Sequence, residues 1–547
     1  MFQTIRQDLF NQLKMYDSIV IEEPKRVSSD LAIPLFKIAK ETNKPIIEVA
    51  NEMKAIIKHP FIKEVVFDRG FLNIYFDRQA YSINVLKHIK DDTYATLAPN
   101  KRVVCIDYSS PNIAKSFSVG HLRSTVIGAS LYKIYQKRGY QVIGINHLGD
   151  WGTQFGKMIV AFDLWGNEEA LRENPIDYLQ SLYVKYHEHE SDELDDQARK
   201  AFKQLEDGDE RVYKLWSYFK EESLKEFMKM YEMLNVSFDS YHGEAFYNDK
   251  MDNIVNELKQ KELTEVDDGA VIVRLGEDIP PALIQRSDGA TLYMTRDLSA
   301  LMYRYDHYHF DKVLYVVGNE QKLHFTQLKR LSGLMGYDFD ITHVNFGLVL
   351  MDGKKMSTRG GKTVKLYDVL QEAILMAKKA IEEKNPDLDN KDLTAKKIGV
   401  GAIIFNDLKN DRNLDIDFNL EEMLSFEGLT GPYLQYSSVR IYSMLKQQTL
   451  NDLIDARLFD NELYYKLTLL LSQFSLILDR VIIENGPHVL SRYLLNLASV
   501  FNQFYGAHKV IVEDETIKNT NLLLIQAVRV VLNEGMRLLG MEYLDEM

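Results

Sequence analysis

The sequence predicts a multidomain α/β protein: an open parallel sheet carrying a helical insertion, a small α+β unit before it and an all-α helix bundle after it. Three observations predict that class. Two short Val/Ile-rich runs, VVCIDY (Val103 to Tyr108) and QVIGIN (Gln141 to Asn146), flank one amphipathic helical pattern, as buried parallel strands joined by a crossover do. A charged helical stretch from about Trp165 to Phe246 separates them from the apolar runs GAVIVRL and KVLYVV, where the sheet is expected to resume. From Glu427 to the end, long apolar-periodic segments alternate with Gly, Pro and Asn-rich turns, the pattern of an antiparallel bundle.

Taken in order, residues 1–100 form the first unit. Helical segments are expected at Leu31 to Ile38 and Ile46 to Ile57, followed by the alternating strand pair KEVVFDRGFLNIYF (Lys63 to Phe76) around a Gly turn. The basic linker PNKRV leads into a second unit, residues 101–370, with its insertion at about 165–250. There the pattern Leu122, Val126, Ile127, Ile134, Tyr135 marks a helix, with Ser118 as N-cap and Gly139 as terminator. Residues 371–426 connect to the bundle, residues 427–547. A prior of roughly 150 residues per domain asks for three or four domains in a chain of 547 residues.

Composition excludes several classes. No apolar stretch reaches the ~20 residues needed to span a membrane, and the start MFQTIRQDLFNQL lacks the apolar core of a signal peptide, so a cytoplasmic protein is expected. The single cysteine, Cys105, falls inside an expected buried strand, which leaves no intrachain disulfide and no cysteine-based zinc site. Thirteen histidines show no metal-ligand spacing, so no protein-held metal is expected. The net charge of -14 neither supports nor excludes an RNA partner, because acids crowd into HEHESDELDDQ and LEDGDE; it slightly favours a cationic small substrate. Nothing points to a dimer, and a monomer is expected.

Two segments carry the chemistry. In SPNIAKSFSVGH the chain passes from a strand to a helix N-terminus, where backbone N–H groups and the helix dipole favour anions. Gly120 leaves room for a flat ring, His121 can donate to a phosphate oxygen, and Lys115 adds a cation. More than two hundred residues later, GKKMSTRGG sets Lys354, Lys355, Arg359, Lys362 and Lys365 against one acid, Asp352, after the strand-like run HVNFGLVLM. A glycine-flanked basic loop suits a polyphosphate that must be gripped and released. Either segment alone reads as a tight turn or a solvated loop; together they read as a split phosphate site.

The pair SVGH and KMSTR resembles the two signatures of class I aminoacyl-tRNA synthetases, known as HIGH and KMSKS. The words SSPNIAK, GHLRST, HLGDWGTQFG, DGATLYMTRD, VVGNEQ, FNDLKNDR and EGLTGPYLQYSSVRI, spread in order over residues 105–441, are similar to the blocks of arginyl-tRNA synthetases. The resemblance implies a Rossmann-like catalytic domain ending in the KMSKS-like loop, an N-terminal additional domain that touches the outer corner of tRNA, a connecting stem-contact region and a helical anticodon-binding domain.

It also implies roles for residues. ATP would be held by Ser118, Gly120, His121, Gly318, Lys355, Met356 and Ser357, with Lys115, His121 and Lys355 as the catalytic groups. Arginine would be held by Asp107, Asn112, Tyr293, Asp297 and Gln321; a guanidinium is a rigid fork of five donors and wants carboxylates. Two departures stand out: Ser118 replaces the first His of HIGH, and Thr358 replaces the second Lys of KMSKS, so Lys115 is expected to supply the missing cation. Tyr433, Gln435, Tyr436, Arg440, Asn502 and Tyr505 are candidates for reading the tRNA loop, with no choice among them.

The implied reaction is ligation in two steps: arginine's carboxylate attacks ATP to give arginyl-adenylate and pyrophosphate, then the terminal ribose hydroxyl of tRNA(Arg), expected to be the 2′, takes the acyl group and releases AMP. ATP with Mg²⁺, L-arginine and tRNA(Arg) are the implied ligands; there is no tightly bound cofactor, and tRNA is expected to be needed for the first step. No editing of mischarged product is expected, because a guanidinium site leaves polar groups unpaired when lysine enters. A different class I synthetase, a small-molecule nucleotidyltransferase and a non-catalytic tRNA binder are the competing readings.

Overall fold

The computed structural model describes residues 1–24, 29–287, 293–351, 353–355 and 364–547, with the backbone alone at 351, 354 and 355. Its centre is a four-stranded parallel sheet. Val103–Asp107 pairs on one side with Gln141–Ile145 and on the other with Lys312–Tyr315, and Asp340–His343 forms the outer edge beyond Lys312–Tyr315. The two inner strands are apolar because helices cover both faces, and Cys105 lies fully buried among them. In register, Asp107 faces Ile145 on one neighbour and Tyr315 on the other, so all three strands deliver their next residues to one rim. Ligands of open α/β sheets bind at that carboxyl edge.

The helix that opens on this rim, Leu122–Lys137, is preceded by one 3-10 turn, Val119–His121, with Ser118 before it; Gly139 stops it in the left-handed region at φ +83. Two expectations about the sheet are corrected. GAVIVRL does not rejoin it: Ala270–Val273 sits in a separate antiparallel sheet with Glu265–Asp267 and Ala282–Gln285. The tight turn at Asp268 and Gly269, both with positive φ, folds the chain back before it can cross over. The strand at the outer edge is Asp340–His343, four half-polar residues with no hydrophobic run to announce them. In HVNFGLVLM, His343 ends that edge strand and Val349–Met351 is a strand of its own, in a small sheet with Lys354–Lys355 and Ile416–Asp417.

The N-terminal unit pairs Leu31–Pro34, Phe71–Phe76 and Ile62–Asp68 in an antiparallel sheet. The expected helix at Leu31 to Ile38 is therefore a strand followed by a helix, Phe36–Thr42. The residue before a proline is pushed out of the α region, and Pro34 interrupts the helical spacing there. This unit is seated on the bundle: Tyr465 Oη donates to Asp30 at 2.6 Å, Tyr81 Oη to Ser472 at 2.5 Å, and Arg78 pairs with Glu462 at 3.1 Å.

The insertion consists of Glu168–Glu173, Pro175–Glu188, Asp192–Glu206 and Glu210–Met233. Asp150, fully buried, ties it to the sheet: its carboxylate takes Lys220 Nζ at 2.6 Å and the N–H of Ala245 at 2.8 Å, while its carbonyl accepts from the Trp216 indole at 2.8 Å. The bundle comprises Gly431–Leu445, Glu462–Glu484, His488–Ala507 and Glu515–Leu539. A buried ion pair, Arg123 Nε to Asp407 at 3.2 Å, joins the rim helix to Lys391–Leu408 in the connecting region. Among the described residues no helix is long and apolar enough to cross a membrane.

Candidate active site

The nucleotide end is built by the loop from Tyr108 to Ser118. The backbone N–H of Ser118 donates to Nδ1 of His121 at 3.1 Å, and the Ser118 hydroxyl lies 3.2 Å from the same nitrogen. An Nδ1 that accepts leaves the ring proton on Nε2. Burial lowers the His121 pKa to about 4, with Lys115 adding to the effect against the Ser118 contact, so the ring is a neutral donor at physiological pH. Phe117 packs on it at 5.1 Å between centroids. Ser118, where the signature has its first His, thus orients the second. Gly120 is exposed, and a Cβ there would meet only the Ser118 hydroxyl, at 3.4 Å, so its outer face is open to a flat ligand.

The His121 turn shares backbone hydrogen bonds with the residues that follow the basic loop. Val119 N–H donates to Val364 O at 3.1 Å and Leu366 N–H to Phe117 O at 2.9 Å, making a two-residue antiparallel bridge around Ser118 and Lys365. On the other side of the basic loop, Met351 and Leu350 pair with Lys354 and Lys355. One root of the basic loop is therefore fixed against the His121 turn. Met356 and Ser357 lie outside the described residues, and of Lys355 only the backbone is described. Lys115 projects from the same loop and lies 4.9 Å from the Tyr183 ring centroid of the insertion. Burial pulls its pKa below the usual lysine value.

The amino-acid end gathers acids at the rim. Asp107 ends its strand buried, and the guanidinium it holds is the chain's own: Arg304 Nη2 stands 2.8 Å from Oδ2, while Ser110 donates to Oδ1 at 2.9 Å. Asp297, one turn into Tyr293–Tyr308, accepts from His324 Nε2 at 2.6 Å and has His147 Nε2 at 3.8 Å. Burial pushes its pKa up, but the hydrogen bond and charge of His324, then His147 and Arg304, overcome this and hold it below the usual carboxylate value. Tyr293 is exposed one turn earlier on the same helix. Asn112 is exposed in the loop, bridged to Gly149, whose missing Cβ makes room for the Asn112 amide. Gly318 follows the strand Lys312–Tyr315 and opens the 3-10 turn that ends in the exposed Gln321.

Sequence reasoning missed Arg304, His147, His324 and Tyr315, although HLGDWG and GNEQ border two of them. A seven-residue step from Asp297 puts Arg304 on the same helix face two turns on, the one local signal available. In the bundle, the Arg440 guanidinium lies between the rings of Tyr436 and Tyr505, 4.8 and 5.0 Å from their centroids, and donates to Asn502 at 2.7 Å. These residues except Tyr505 line a cavity of about 660 Å³ with Tyr433, Phe426 and Lys384. Gln435, by contrast, is fully buried and donates to the carbonyls of Lys397 and Glu542, which removes it from the surface.

Comparison with known proteins gives the family. A family model described as the catalytic domain of class I (R) tRNA synthetases matches residues 84–420, the arginyl-tRNA synthetase N-terminal domain matches 3–76, and the DALR anticodon binding domain matches 434–547. An arginine–tRNA ligase of Exiguobacterium sibiricum is 47% identical over 96% of this chain and 95% of its own length. Among solved structures, an arginyl-tRNA synthetase of Thermus thermophilus shares the fold at a TM-score of 0.85 and 24% identity, covering 100% of both chains. That of Plasmodium falciparum gives 0.84 at 26% identity, covering 100% of this chain and 99% of its own. With the His121 turn paired to the residues that follow the basic loop and the acids gathered on the same rim, these matches show that the chain belongs to the arginyl-tRNA synthetase family of class I aminoacyl-tRNA synthetases.

Proposed function

We propose that the chain activates L-arginine with ATP and charges tRNA(Arg) at one site. In the first step a carboxylate oxygen of arginine bonds to the α-phosphorus as the bond to the bridging oxygen breaks, and pyrophosphate leaves. In the second the terminal ribose hydroxyl, read as the 2′, bonds to the acyl carbon, loses its proton, and AMP departs. Neither step needs a covalent enzyme intermediate, so catalysis is positioning and electrostatics.

The observation that carries the reading is the backbone pairing of Phe117–Val119 with Val364–Leu366. It supports a nucleotide held between the His121 turn and the basic loop, with Ser118, Gly120 and Gly318 around it and Met356 and Ser357 arriving from the loop. His121 Nε2–H, the helix N-terminus, Lys115 and Lys355 would offset charge on the phosphates. These groups are donors and cations rather than metal ligands. They fit a Mg²⁺ that comes with ATP as part of the substrate, its coordination filled largely by phosphate oxygens.

Asp297 would take the guanidinium, with Tyr293 beside it and Asn112 and Gln321 at the polar end. Asp107 would act on the substrate through Arg304, which it neutralises. The half-exposed Tyr436, Tyr505 and Arg440 group is read as the place where unstacked bases of the tRNA loop bind, and the N-terminal unit as the contact to its outer corner. The chain is read as a cytoplasmic monomer.

Exchange of labelled pyrophosphate into ATP tests this. Exchange is expected only with arginine present, and only when tRNA(Arg) is added. Exchange driven by another amino acid, or by none, would overturn it.

A further inference from the structure

Asp297 has two carboxylate edges, and the structure treats them differently. Oδ2 is occupied by the N–H of His324 at 2.6 Å. Oδ1 accepts no hydrogen bond among the described residues; its nearest cationic-type neighbour is His147 Nε2, at 3.8 Å. His147 is itself unusual. Its side chain is only 13% exposed, it packs on Tyr247 at 5.5 Å, and neither ring nitrogen has a hydrogen-bond partner among the described residues. A buried imidazole with both nitrogens unpaired is costly, and such groups call for an explanation.

It is not alone. Arg304 Nε is buried without a hydrogen-bond partner among the described residues too, and the Arg304 guanidinium lies over the Tyr315 ring at 5.6 Å. Tyr315 is the register partner of Asp107, and His147 follows the other neighbouring strand by two residues. The unpaired atoms therefore line one stretch of the rim beside Asp297. Asp107 is committed to Arg304, and the neighbouring Glu244 stands 3.6 Å from Arg296 with its pKa pushed up to about 7 chiefly by burial, so Asp297, held below the usual carboxylate value, is the charged acid open to a cation.

We infer that His324 and His147 form an imidazole clamp on Asp297: His324 locks the carboxylate so that Oδ1 faces the pocket, and His147 accepts a second N–H from the same substrate side chain. A planar fork of N–H donors can serve Oδ1 and an imidazole nitrogen together. An ammonium has its three N–H donors on one nitrogen, so reaching both acceptors, 3.8 Å apart, bends both bonds away from linear, and the clamp favours arginine over lysine. His324 is a positioning residue and His147 a contact residue. The inference rests on the reading of this site as an arginine site.

The test is pyrophosphate exchange and aminoacylation by the full chain with tRNA. If wild-type exchange does not depend on arginine, the reading of the site fails. Given an arginine-dependent wild type, H324L should raise the arginine KM by about tenfold or more, the effect of one charge-assisted hydrogen bond, while kcat and the ATP KM stay within about twofold. H324Q, which keeps an N–H at the Nε2 position, should restore most of the loss. H147F should reduce the preference for arginine over lysine by about tenfold, with its thermal melt unchanged. An unchanged arginine KM in H324L, a fall in kcat and melting temperature that H324Q does not rescue, or an H147F enzyme with full discrimination would overturn the clamp.

Discussion

The two ends of the cleft meet opposite charges with opposite means. At the end read as holding the nucleotide, the groups are a neutral imidazole, backbone N–H groups and a lysine whose pKa burial lowers. At the amino-acid end, where a cation is to be held, the groups are carboxylates, and each already has a partner: Arg304 on Asp107, His324 on Asp297. A lone buried carboxylate is far more costly than a neutral donor, so the cation end must be pre-paired while the anion end can wait unpaired. The first end combines contacts three residues apart with the bridge to Val364–Leu366; at the second, the charged partners of the acids come from segments far along the chain.

Five measurements would sharpen or break this contrast. The largest effect is expected from K115A, about 10³-fold or roughly 4 kcal/mol off the rate of arginine activation, with the arginine KM little changed; an unchanged rate removes the cation from the nucleotide end. D297A should cost about 10²-fold in kcat/KM for arginine while the ATP KM holds, since it strands the substrate's guanidinium. Equal losses for both substrates would mean that the two ends are not separate.

R440A lies outside the cleft and serves as the control region. It should raise the tRNA KM about tenfold, the value of a lost base stack, and leave tRNA-saturated arginine and ATP kinetics alone. S118A leaves the backbone donor to His121 in place and removes only the hydroxyl, so a loss of about 1 kcal/mol, some fivefold in activation, is expected.

The smallest effect should be none. His121, with its pKa lowered to about 4, is neutral throughout pH 5 to 8, so ring-nitrogen NMR should show the Nε2–H tautomer unchanged across that range. A titration near 6.5 would show a ring in water rather than one buried in a preorganised turn.

Much of the nucleotide end was legible before folding. Ser118, Gly120 and His121 lie within four residues, Gly139 ends the helix as its left-handed φ requires, and the bundle helices follow their apolar period. Three readings failed for physical reasons. Leu31 to Ile38 has helical spacing, yet Pro34 and pairing to Phe71–Ile74 make a strand of its first half. GAVIVRL has the composition of a buried parallel strand, but composition does not say which sheet a strand joins. Asp340–His343 is too short and too polar to show.

The amino-acid end was half legible. Asp107 and Asp297 stood out as acids through the resemblance, but their partners lie far away along the chain, and only the seven-residue step from Asp297 to Arg304 hints at one of them. Cap, turn and helix face were determined by the sequence alone, because they depend on spacings of one to four residues that any isolated segment carries. Which charge each buried acid meets was decided only by the tertiary structure. Parallel strands bring their carboxyl ends to one rim only after long crossovers close, and only there is a carboxylate dry enough that it must choose a partner.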